Sequence, residues 1–246
     1  MKYTIPTITI GLDLGDKKHA LCVLNAEGEI IDERTITNHR ESLRRLSQKY
    51  PEARIAHEVG THSPWISRIL TDFGHEVFVA NPRKLRAIYA NDRKSDKNDA
   101  RMIARIARMD PQLLYPIQHG TEEAQRDLLS MKMRDTLVRQ RVCVINSVRF
   151  TLKSLGIALP KAPSSDYFAR RCRRLLEEKD VAVLDMLEPM LQSLDVISGK
   201  IKELDCAIEK LCSEKYPETE RLRQVHGVGP VTALHFVLLI GDPERS

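Results

Sequence analysis

The sequence predicts an α/β protein in which a mixed sheet packed by helices is followed by a long helical and coiled-coil region. Two observations support this fold class. Between residues 7 and 80, short apolar and β-branched segments alternate with turns that contain glycine or asparagine, which is typical of strands. Beyond Pro82, apolar residues recur at intervals of three and four, which is typical of helices.

The N-terminal part is predicted to fold in the order β-β-β-α-β-α-β-α. The predicted strands are residues 7–15, 20–24, 30–37, 53–58 and 75–80. A turn at residues 25–28, with glycine near its end, joins the second and third strands as a hairpin. The predicted helices are residues 41–50, 63–73, 84–89 and 96–108.

Two longer helical segments follow. One is predicted at residues 122–155, and the other carries apolar residues from Leu184 to Leu211 at spacings of three and four with one phase slip. This seam favours a coiled-coil hairpin or a dimer contact, and an amphipathic helix packed on its own domain explains it equally well. The predicted domains are a sheet domain at residues 1–110, its helical extension at 111–160, a coiled-coil region at 161–216 and the start of a C-terminal domain at 217–246.

The composition excludes several classes of protein. Of 246 residues, 42% are hydrophobic and 30% are charged, as in globular proteins with a sizeable core. The longest apolar runs, such as residues 236–240, are far shorter than the ~20 residues that span a membrane, and no secretory leader is recognisable. Five cysteines without C-x-x-C spacing argue against a disulfide framework or a cysteine zinc site. We expect a cytoplasmic protein with no membrane partner.

Basic residues are concentrated in the middle of the chain, although the net charge is only +5. From Arg83 to Arg108, nine lysines and arginines face three aspartates. Such a surplus indicates a nucleic acid, although a solvated helix surface gives the same pattern. Only 5% of residues are aromatic, so base stacking is not the expected binding mode. The candidate contacts are Arg83, Lys84, Arg86, Arg93, Lys94, Lys97, Arg101, Arg105, Arg134, Arg139, Arg141, Arg149 and Lys153.

Four acidic residues are candidates for metal binding. Asp13 lies in the apolar first strand, where a carboxylate is costly unless it is paired or binds a cation. Glu58 ends the fourth strand, and Asp96 and Asp99 lie three residues apart on one face of a helix. Together the four could hold two Mg²⁺ ions about 3.5–4 Å apart, which would stabilise the attacking and leaving oxygens of a phosphoryl transfer.

Each acid also has a structural explanation. Asp96 as an N-cap, with Asp99 three residues later, would suit the helix dipole. Glu58 could end its strand at the surface. Asp13 is the hardest to explain without a cation, because both of its neighbours are apolar. The order of the acids on these kinds of element favours the metal site.

Three segments resemble the DEDD-motif insertion-sequence transposases, a family that includes Piv-type invertases and bridge-RNA-guided recombinases. They are residues 11–19 (Gly-Leu-Asp-Leu-Gly-Asp-Lys-Lys-His), 57–60 (His-Glu-Val-Gly) and 94–100 (Lys-Ser-Asp-Lys-Asn-Asp-Ala). A strand aspartate, a mid-sheet glutamate and a helical Asp-x-x-Asp also resemble the RuvC branch of the RNase H-like fold. The resemblance implies that Asp13, Glu58, Asp96 and Asp99 are catalytic metal ligands, and that the protein is prokaryotic and nucleoid-associated.

A fourth segment, residues 226–233, is similar to the start of the C-terminal domain in that family. Gly227 and Gly229 precede Pro230 at a helix start, where free backbone N–H groups can hold a phosphate; a turn without a ligand is the alternative. In the family this domain continues to a serine nucleophile followed by glycine, whereas Ser246 has no residue after it. We therefore expect the chain alone to be incomplete for strand exchange.

The implied function is that of a transposase or site-specific recombinase of a mobile element. The implied partners are the DNA ends and target, a structured guide RNA, and further copies of the chain in a dimer or tetramer. A RuvC-like structure-specific nuclease and a non-catalytic nucleic-acid-binding regulator are the alternatives. A sugar-kinase or actin-like ATPase would need a second phosphate loop and an adenosine loop, and we find neither in the sequence.

Overall fold

The computed structural model describes residues 6–85, 95–159 and 164–240 of the chain. The chain divides into two units, Met1–His119 and Gly120–Ser246. The finer boundaries expected near residues 110, 160 and 216 remain predictions. No helix within the described ranges is long and apolar enough to cross a membrane.

The first unit is built on a five-stranded mixed sheet. Its strands are β1 (Thr9–Leu14), β2 (Lys18–Leu24), β3 (Ile30–Thr37), β4 (Arg54–Glu58) and β5 (Glu76–Ala80). Their order in the sheet is β3-β2-β1-β4-β5, with β2 antiparallel to its two neighbours and β1, β4 and β5 parallel. This arrangement confirms the predicted α/β class with an RNase H-like sheet. Each strand end lies within two residues of its predicted position.

Helices cover both faces of this sheet. They are α1 (Arg40–Lys49), α2 (Ser63–Asp72), the short α3 (Pro82–Leu85) and α4 (Asp96–Met109). One face packs on α1 and α2, since Ile10 and Leu12 of β1 share a buried cluster with Leu43 and Leu70. The other face packs on α4, where small and aliphatic residues recur at helical spacing. The buried α4 residues are Ala100, Ile103, Ala104, Ile106 and Ala107.

Gly11 explains how closely α4 approaches the sheet. A Cβ atom added at Gly11 would lie 2.1 Å from the carbonyl oxygen of Ala100 and 2.6 Å from the backbone nitrogen of Ala104. Real Cβ atoms do not come this near to backbone, so only glycine allows the contact. The alanines of α4 complete the close packing, because their side chains add little thickness between helix and sheet.

The second unit is helical within its described residues. Its helices are α5 (Glu122–Ser154), α6 (Phe168–Lys179), α7 (Val181–Glu214), α8 (Thr219–Arg223) and α9 (Pro230–Ile240). The side chain of Thr121 caps α5 by accepting a hydrogen bond from the Ala124 amide at 3.1 Å, and Asp180 caps α7 through the Val183 amide at the same distance. The long helices therefore begin at polar caps, as helix-start chemistry requires.

The apolar seam of α7 is covered within the chain. Near one end of α7, Leu187 and Leu191 share a cluster with Ile145 and Leu152 of α5 and with buried residues of α6. Near its other end, Ile208 packs with Met131. Because the order of contacts reverses, α5 and α7 are antiparallel. The seam therefore serves an intramolecular packing, one of the expectations from sequence, and pairing between copies remains a prediction.

Candidate metal centre and nucleic-acid interface

Asp13 and Glu58 lie at the ends of two neighbouring parallel strands. The pairing of β1 with β4 runs from Thr9 opposite Arg54 to Leu12 opposite His57. Asp13 and Glu58 are the next residue of each strand, and both are half-buried. Because the carboxyl ends of parallel strands meet at one edge of a sheet, these two acids share an edge.

Both acids lie on the face of the sheet that α4 covers. Side chains alternate along a strand, so Asp13 is on the same side as Gly11, which touches α4. Ala56, two residues before Glu58, shares a buried cluster with Ile103 and Ala107 of α4. The two strand-end acids are therefore on the α4 side of the sheet.

The direction of α4 brings its first turn toward the same edge. At the start of β4, the Arg54 side chain donates from Nη1 to the carbonyl oxygen of Ala107 at 3.1 Å. Two residues further along the paired strands, Gly11 faces Ala100 and Ala104. The chain direction of α4 is therefore opposite to that of β1 and β4. The N-terminal end of α4 lies near the carboxyl ends of these two strands. Asp96 and Asp99 lie on that first turn.

The cap of α4 is Ser95, which corrects one explanation drawn from sequence. The Ser95 side chain accepts a hydrogen bond from the Asn98 amide at 3.3 Å, so Asp96 is not the N-cap. Asp96 stands one turn before Ala100 and Asp99 one turn before Ile103, and both of those residues are fully buried. The two aspartates therefore lie on the sheet-facing side of the helix. Asp96 is exposed and Asp99 is half-buried.

The donor set matches a hard divalent cation in its chemistry. Four carboxylates offer the oxygen ligands that Mg²⁺ prefers. Among the described residues, which include all four acids, no group of three or more His, Cys, Asp or Glu side chains is arranged to hold a metal ion. The fold thus brings the acids to one face and one edge without closing them into a coordination shell. A shared cation would offset the repulsion between their charges.

An ion pair anchors the start of α4 to the sheet. Arg101 donates from Nε to one Glu33 carboxylate oxygen at 2.5 Å and from Nη2 to the other at 3.1 Å. Lys97 Nζ lies 3.9 Å from the same carboxylate. A two-point Arg–carboxylate contact fixes orientation as well as distance. Arg101, predicted as a nucleic-acid contact, is therefore engaged within the fold.

His57 holds the backbone at Glu58 from the opposite face of the sheet. It is fully buried, with Nδ1 3.0 Å from the Glu58 carbonyl oxygen and Nε2 3.0 Å from Ser67 Oγ. Burial lowers the pKa of His57 to about 4, so the ring is neutral at physiological pH. Since a carbonyl only accepts, Nδ1 carries the proton and donates to it. In the sequence, His57 is recognisable only as part of the His-Glu-Val-Gly motif.

The other predicted basic contacts fall into three groups. Arg134, Arg139 and Arg141 form ion pairs with Asp205, Asp135 and Asp166, respectively. Arg83, Lys84, Lys97, Arg105, Arg149 and Lys153 are exposed. Arg86, Arg93 and Lys94 lie outside the described residues. The exposed group is therefore the better candidate for nucleic-acid contacts.

The Gly227–Gly229 turn joins α8 to α9. Gly227 has φ +85°, a conformation that glycine adopts without strain. The Val228 amide donates to the Val225 carbonyl oxygen at 3.0 Å, which closes the turn before α9 begins at Pro230. The turn therefore precedes a helix that starts at Pro230, as the sequence predicts. Phosphate binding there remains a prediction.

Comparison with known proteins relates the chain to transposases. The profile of a transposase family, DEDD_Tnp_IS110, matches residues 10–157. The putative transposase y4pF/y4sB of Sinorhizobium fredii is 28% identical over 96% of this chain and 59% of the relative. The transposase for insertion sequence element IS1328 of Yersinia enterocolitica is 24% identical over 97% of this chain and 70% of the relative. The transposase for insertion sequence element IS1111A of Coxiella burnetii is 23% identical over 95% of this chain and 63% of the relative. The chain thus spans 59–70% of the length of these relatives.

Proposed function

The chain belongs to the DEDD-type IS110 transposase family, and on this basis we propose that its first unit is the metal-dependent part of a DNA transposase or site-specific recombinase of a mobile element. The proposed ligands of two Mg²⁺ ions are Asp13, Glu58, Asp96 and Asp99. The observation that carries the proposal is the parallel pairing of β1 with β4 beneath an α4 that runs the opposite way. This topology supports a meeting of strand-end and helix-start carboxylates.

The bound ions would supply Lewis-acid stabilisation of the attacking and leaving oxygens of a phosphoryl transfer. The chain's own residues would hold and orient those ions. Asp13 and Glu58 do so from the sheet, and Asp96 and Asp99 from α4. The His57 hydrogen bond to the Glu58 carbonyl and the Arg101–Glu33 ion pair keep these two supports in place. Fixed supports matter because a site gains most from ligands that need no rearrangement.

Nucleic acids are the proposed partners of both units. Arg105 in the first unit, and Arg149 and Lys153 in the second, are exposed cations available to phosphates. The Gly227–Gly229 turn is a further proposed phosphate contact. The proposed ligands of these surfaces are the DNA ends, the DNA target and a structured guide RNA, without assignment of one ligand to one surface. Such contacts position a nucleic acid without reading its sequence, and their affinity falls with salt.

Association of copies into a dimer or tetramer is part of the same proposal. Exposed apolar side chains on α5 support it, among them Leu129 at 53% exposure and Met133 at 51%, which lie one helical turn apart. Apolar side chains of this size are usually covered when they form a patch. Sedimentation velocity across a range of concentrations tests this association, and a single monomeric species throughout would contradict it.

Metal binding is tested directly by titrating the purified chain with MgCl₂ in a calorimeter. Asp13→Asn and Asp99→Asn should each lower the affinity by about tenfold or more, since even second-shell changes at metal sites cost 10- to 100-fold. Asp72→Asn, at an exposed acid that ends α2, is the matched control and should bind as the unaltered chain does. Unaltered affinity in both site variants would refute the metal assignment.

Cleavage of branched DNA in Mg²⁺, without a covalent protein–DNA product, would favour the structure-specific nuclease instead.

A further inference from the structure

Tyr115 adopts an uncommon backbone conformation for an aromatic residue. It ends the 3-10 helix Pro111–Leu114 with φ 47° and ψ 60°, in the left-handed region. Glu52 is the other non-glycine residue with positive φ among those described. Residues with a Cβ atom are strained there, and glycine or asparagine normally takes such positions.

Burial of the Tyr115 ring does not compensate for this strain. The residue is 44% exposed, whereas its neighbour Leu114 is fully buried. The backbone around the ring is nevertheless well fixed. The Asn81 amide donates to the Leu114 carbonyl oxygen at 3.0 Å, and the Ile117 amide donates to the Val79 carbonyl oxygen at 2.9 Å. A strained residue held by its surroundings, with an exposed aromatic ring, is typical of a binding surface.

The ring borders an open groove, and a cation lies over one face of the ring. The groove has a volume of about 550 Å³, and its lining residues are Asn81, Lys84, Gln112, Leu113, Tyr115 and Pro116. Lys84 Nζ lies 4.7 Å from the centre of the Tyr115 ring. The groove therefore combines an aromatic plane, a positive charge and the amide side chains of Asn81 and Gln112.

The groove lies next to the edge of the sheet that carries the candidate acids. Glu58 pairs with Ala80, the last residue of β5, and Asn81 follows directly. The groove is therefore one strand away from the Glu58 end of β4. A strand of nucleic acid that reached the acids would pass close to it.

We propose that the groove binds one unpaired nucleotide, with its base stacked on Tyr115 and its phosphate paired with Lys84. This inference deepens the proposed function and rests on it for the identity of the polymer. Aromatic stacking accepts any base, and a lysine contacts phosphate as a point charge, so the groove would hold a nucleotide without reading its sequence. Base stacking, not expected from the low aromatic content, thus has one local site.

The test uses the full chain and single-stranded oligonucleotides that carry the fluorescent base 2-aminopurine, in buffer with EDTA. Tyr115→Asn removes the ring and suits the left-handed backbone, so it should keep or raise the melting temperature. The same variant should lose about tenfold in affinity, together with the quenching that stacking produces. Tyr115→Phe should retain both, because it keeps the ring. Lys84→Gln should lose affinity but keep the quenching.

Glu52→Asp is the matched control, because it relieves the other left-handed non-glycine position and preserves charge. It should bind as the unaltered chain does. DNA and RNA of one sequence are compared, and the polymer whose affinity depends on the ring is the natural occupant. The inference is overturned if Tyr115→Asn binds both polymers normally, or if Tyr115→Phe loses as much as Tyr115→Asn. Because EDTA removes divalent ions, failure of the metal proposal leaves this result unchanged.

Discussion

Arg54 connects the first residue of β4 to the last turns of α4. Its Nη1 donates to the Ala107 carbonyl oxygen at 3.1 Å, and its Nε donates to Glu76 at 2.7 Å. The side chain is only 4% exposed. This contact fixes one end of α4 over the sheet, and the opposite end carries Asp96 and Asp99. A residue outside the candidate site thereby determines where the helical acids lie.

Replacement of Arg54 by methionine should destabilise the first unit by about 2–4 kcal/mol. The change leaves the Ala107 carbonyl without this donor in a buried place and removes the partner of Glu76. Urea unfolding followed by circular dichroism measures the effect. Arg34→Met is the control, because Arg34 is exposed and its partner Asp32 keeps Lys49 and Tyr50 as partners. It should change stability by less than about 1 kcal/mol. Equal losses of unfolding free energy in the two variants would contradict the role of Arg54 in holding α4 on the sheet.

Gly11→Ala should destabilise the chain by about 1–3 kcal/mol, because the new methyl group would overlap the backbone of α4. Gly60→Ala is the matched control, since a Cβ at Gly60 meets nothing within 4 Å. Thermal melts of the two variants provide the comparison. If Gly11→Ala melts like the unaltered chain, the close contact between β1 and α4 is wrong.

Neutralising an acid of the proposed metal site should have opposite effects with and without metal. In EDTA, Asp13→Asn or Asp99→Asn should keep or raise the melting temperature, because clustered carboxylates repel. With Mg²⁺ at 100 times its dissociation constant, the unaltered chain should gain about 2.7 kcal/mol, and the variants should lose most of that gain. Differential scanning fluorimetry in EDTA and in Mg²⁺ measures the melting temperature under each condition. A Mg²⁺-induced rise that both variants retain would contradict the site.

Stability should decrease as the pH falls below about 6.5. His75 is buried, with Nε2 2.7 Å from Ser47 Oγ and Nδ1 3.2 Å from the Ala53 carbonyl oxygen. Burial lowers its pKa from the ordinary value of 6.5. Above pH 6.5 the His75 ring is neutral in both the folded and the unfolded chain. Below it, the unfolded chain binds a proton that the folded chain does not, so the free energy of unfolding falls.

Denaturant unfolding at pH 7.5 and pH 5.5 measures this linkage. His75→Gln should show a smaller loss between the two pH values than the unaltered chain, whatever its stability at pH 7.5. His57, also buried and with a lowered pKa, accounts for part of the loss that remains. If His75→Gln loses as much unfolding free energy between pH 7.5 and pH 5.5 as the unaltered chain, His75 does not contribute to the pH dependence.

Exposed and ion-paired arginines should respond differently to substitution. Arg105→Gln should weaken nucleic-acid binding and reduce the slope of log affinity against log salt by about 0.7–0.9, with little change in stability. Arg101→Gln should mainly lower stability, because its partner Glu33 then loses a two-point contact. Fluorescence anisotropy at several salt concentrations, paired with melting curves, separates the two effects. Arg44→Gln on α1, an exposed arginine paired with Glu41, is the control and should alter neither slope nor affinity. An unchanged slope in Arg105→Gln would mean that its side chain is only solvated.

Much of the first unit could be predicted because its signals are local. The five strands and the helices between them follow from apolar spacing and turn residues, and β1 to β5 appear in the expected order. Asp13, Glu58, Asp96 and Asp99 could be selected because each sits on an element that its sequence predicts. The alternative explanation of Asp96 as the N-cap of α4 is wrong, because Ser95 caps this helix. Sequence does not separate the two, since they are adjacent and both are good capping residues.

Contacts between distant parts of the chain could not be predicted. Nothing local pairs Arg101 with Glu33, or Arg134 with Asp205, so the sequence predicts both arginines as nucleic-acid contacts. The strain at Tyr115 likewise depends on a backbone angle that no residue pattern specifies. Sequence patterns report which face of an element is apolar, whereas partners across the fold depend on how the elements pack.

The antiparallel packing of α5 sets a minimum length for any ligand that engages both of its ends. Met131 of α5 packs in one cluster with α9, which begins beside the glycine turn, while Arg149 lies eighteen residues further along the same helix. At 1.5 Å per residue that separation is about 27 Å. A duplex would need about eight base pairs to bridge it, at 3.4 Å per step. A mononucleotide could therefore occupy only one of the two proposed contacts, whereas a ligand that engages both must extend over about 27 Å.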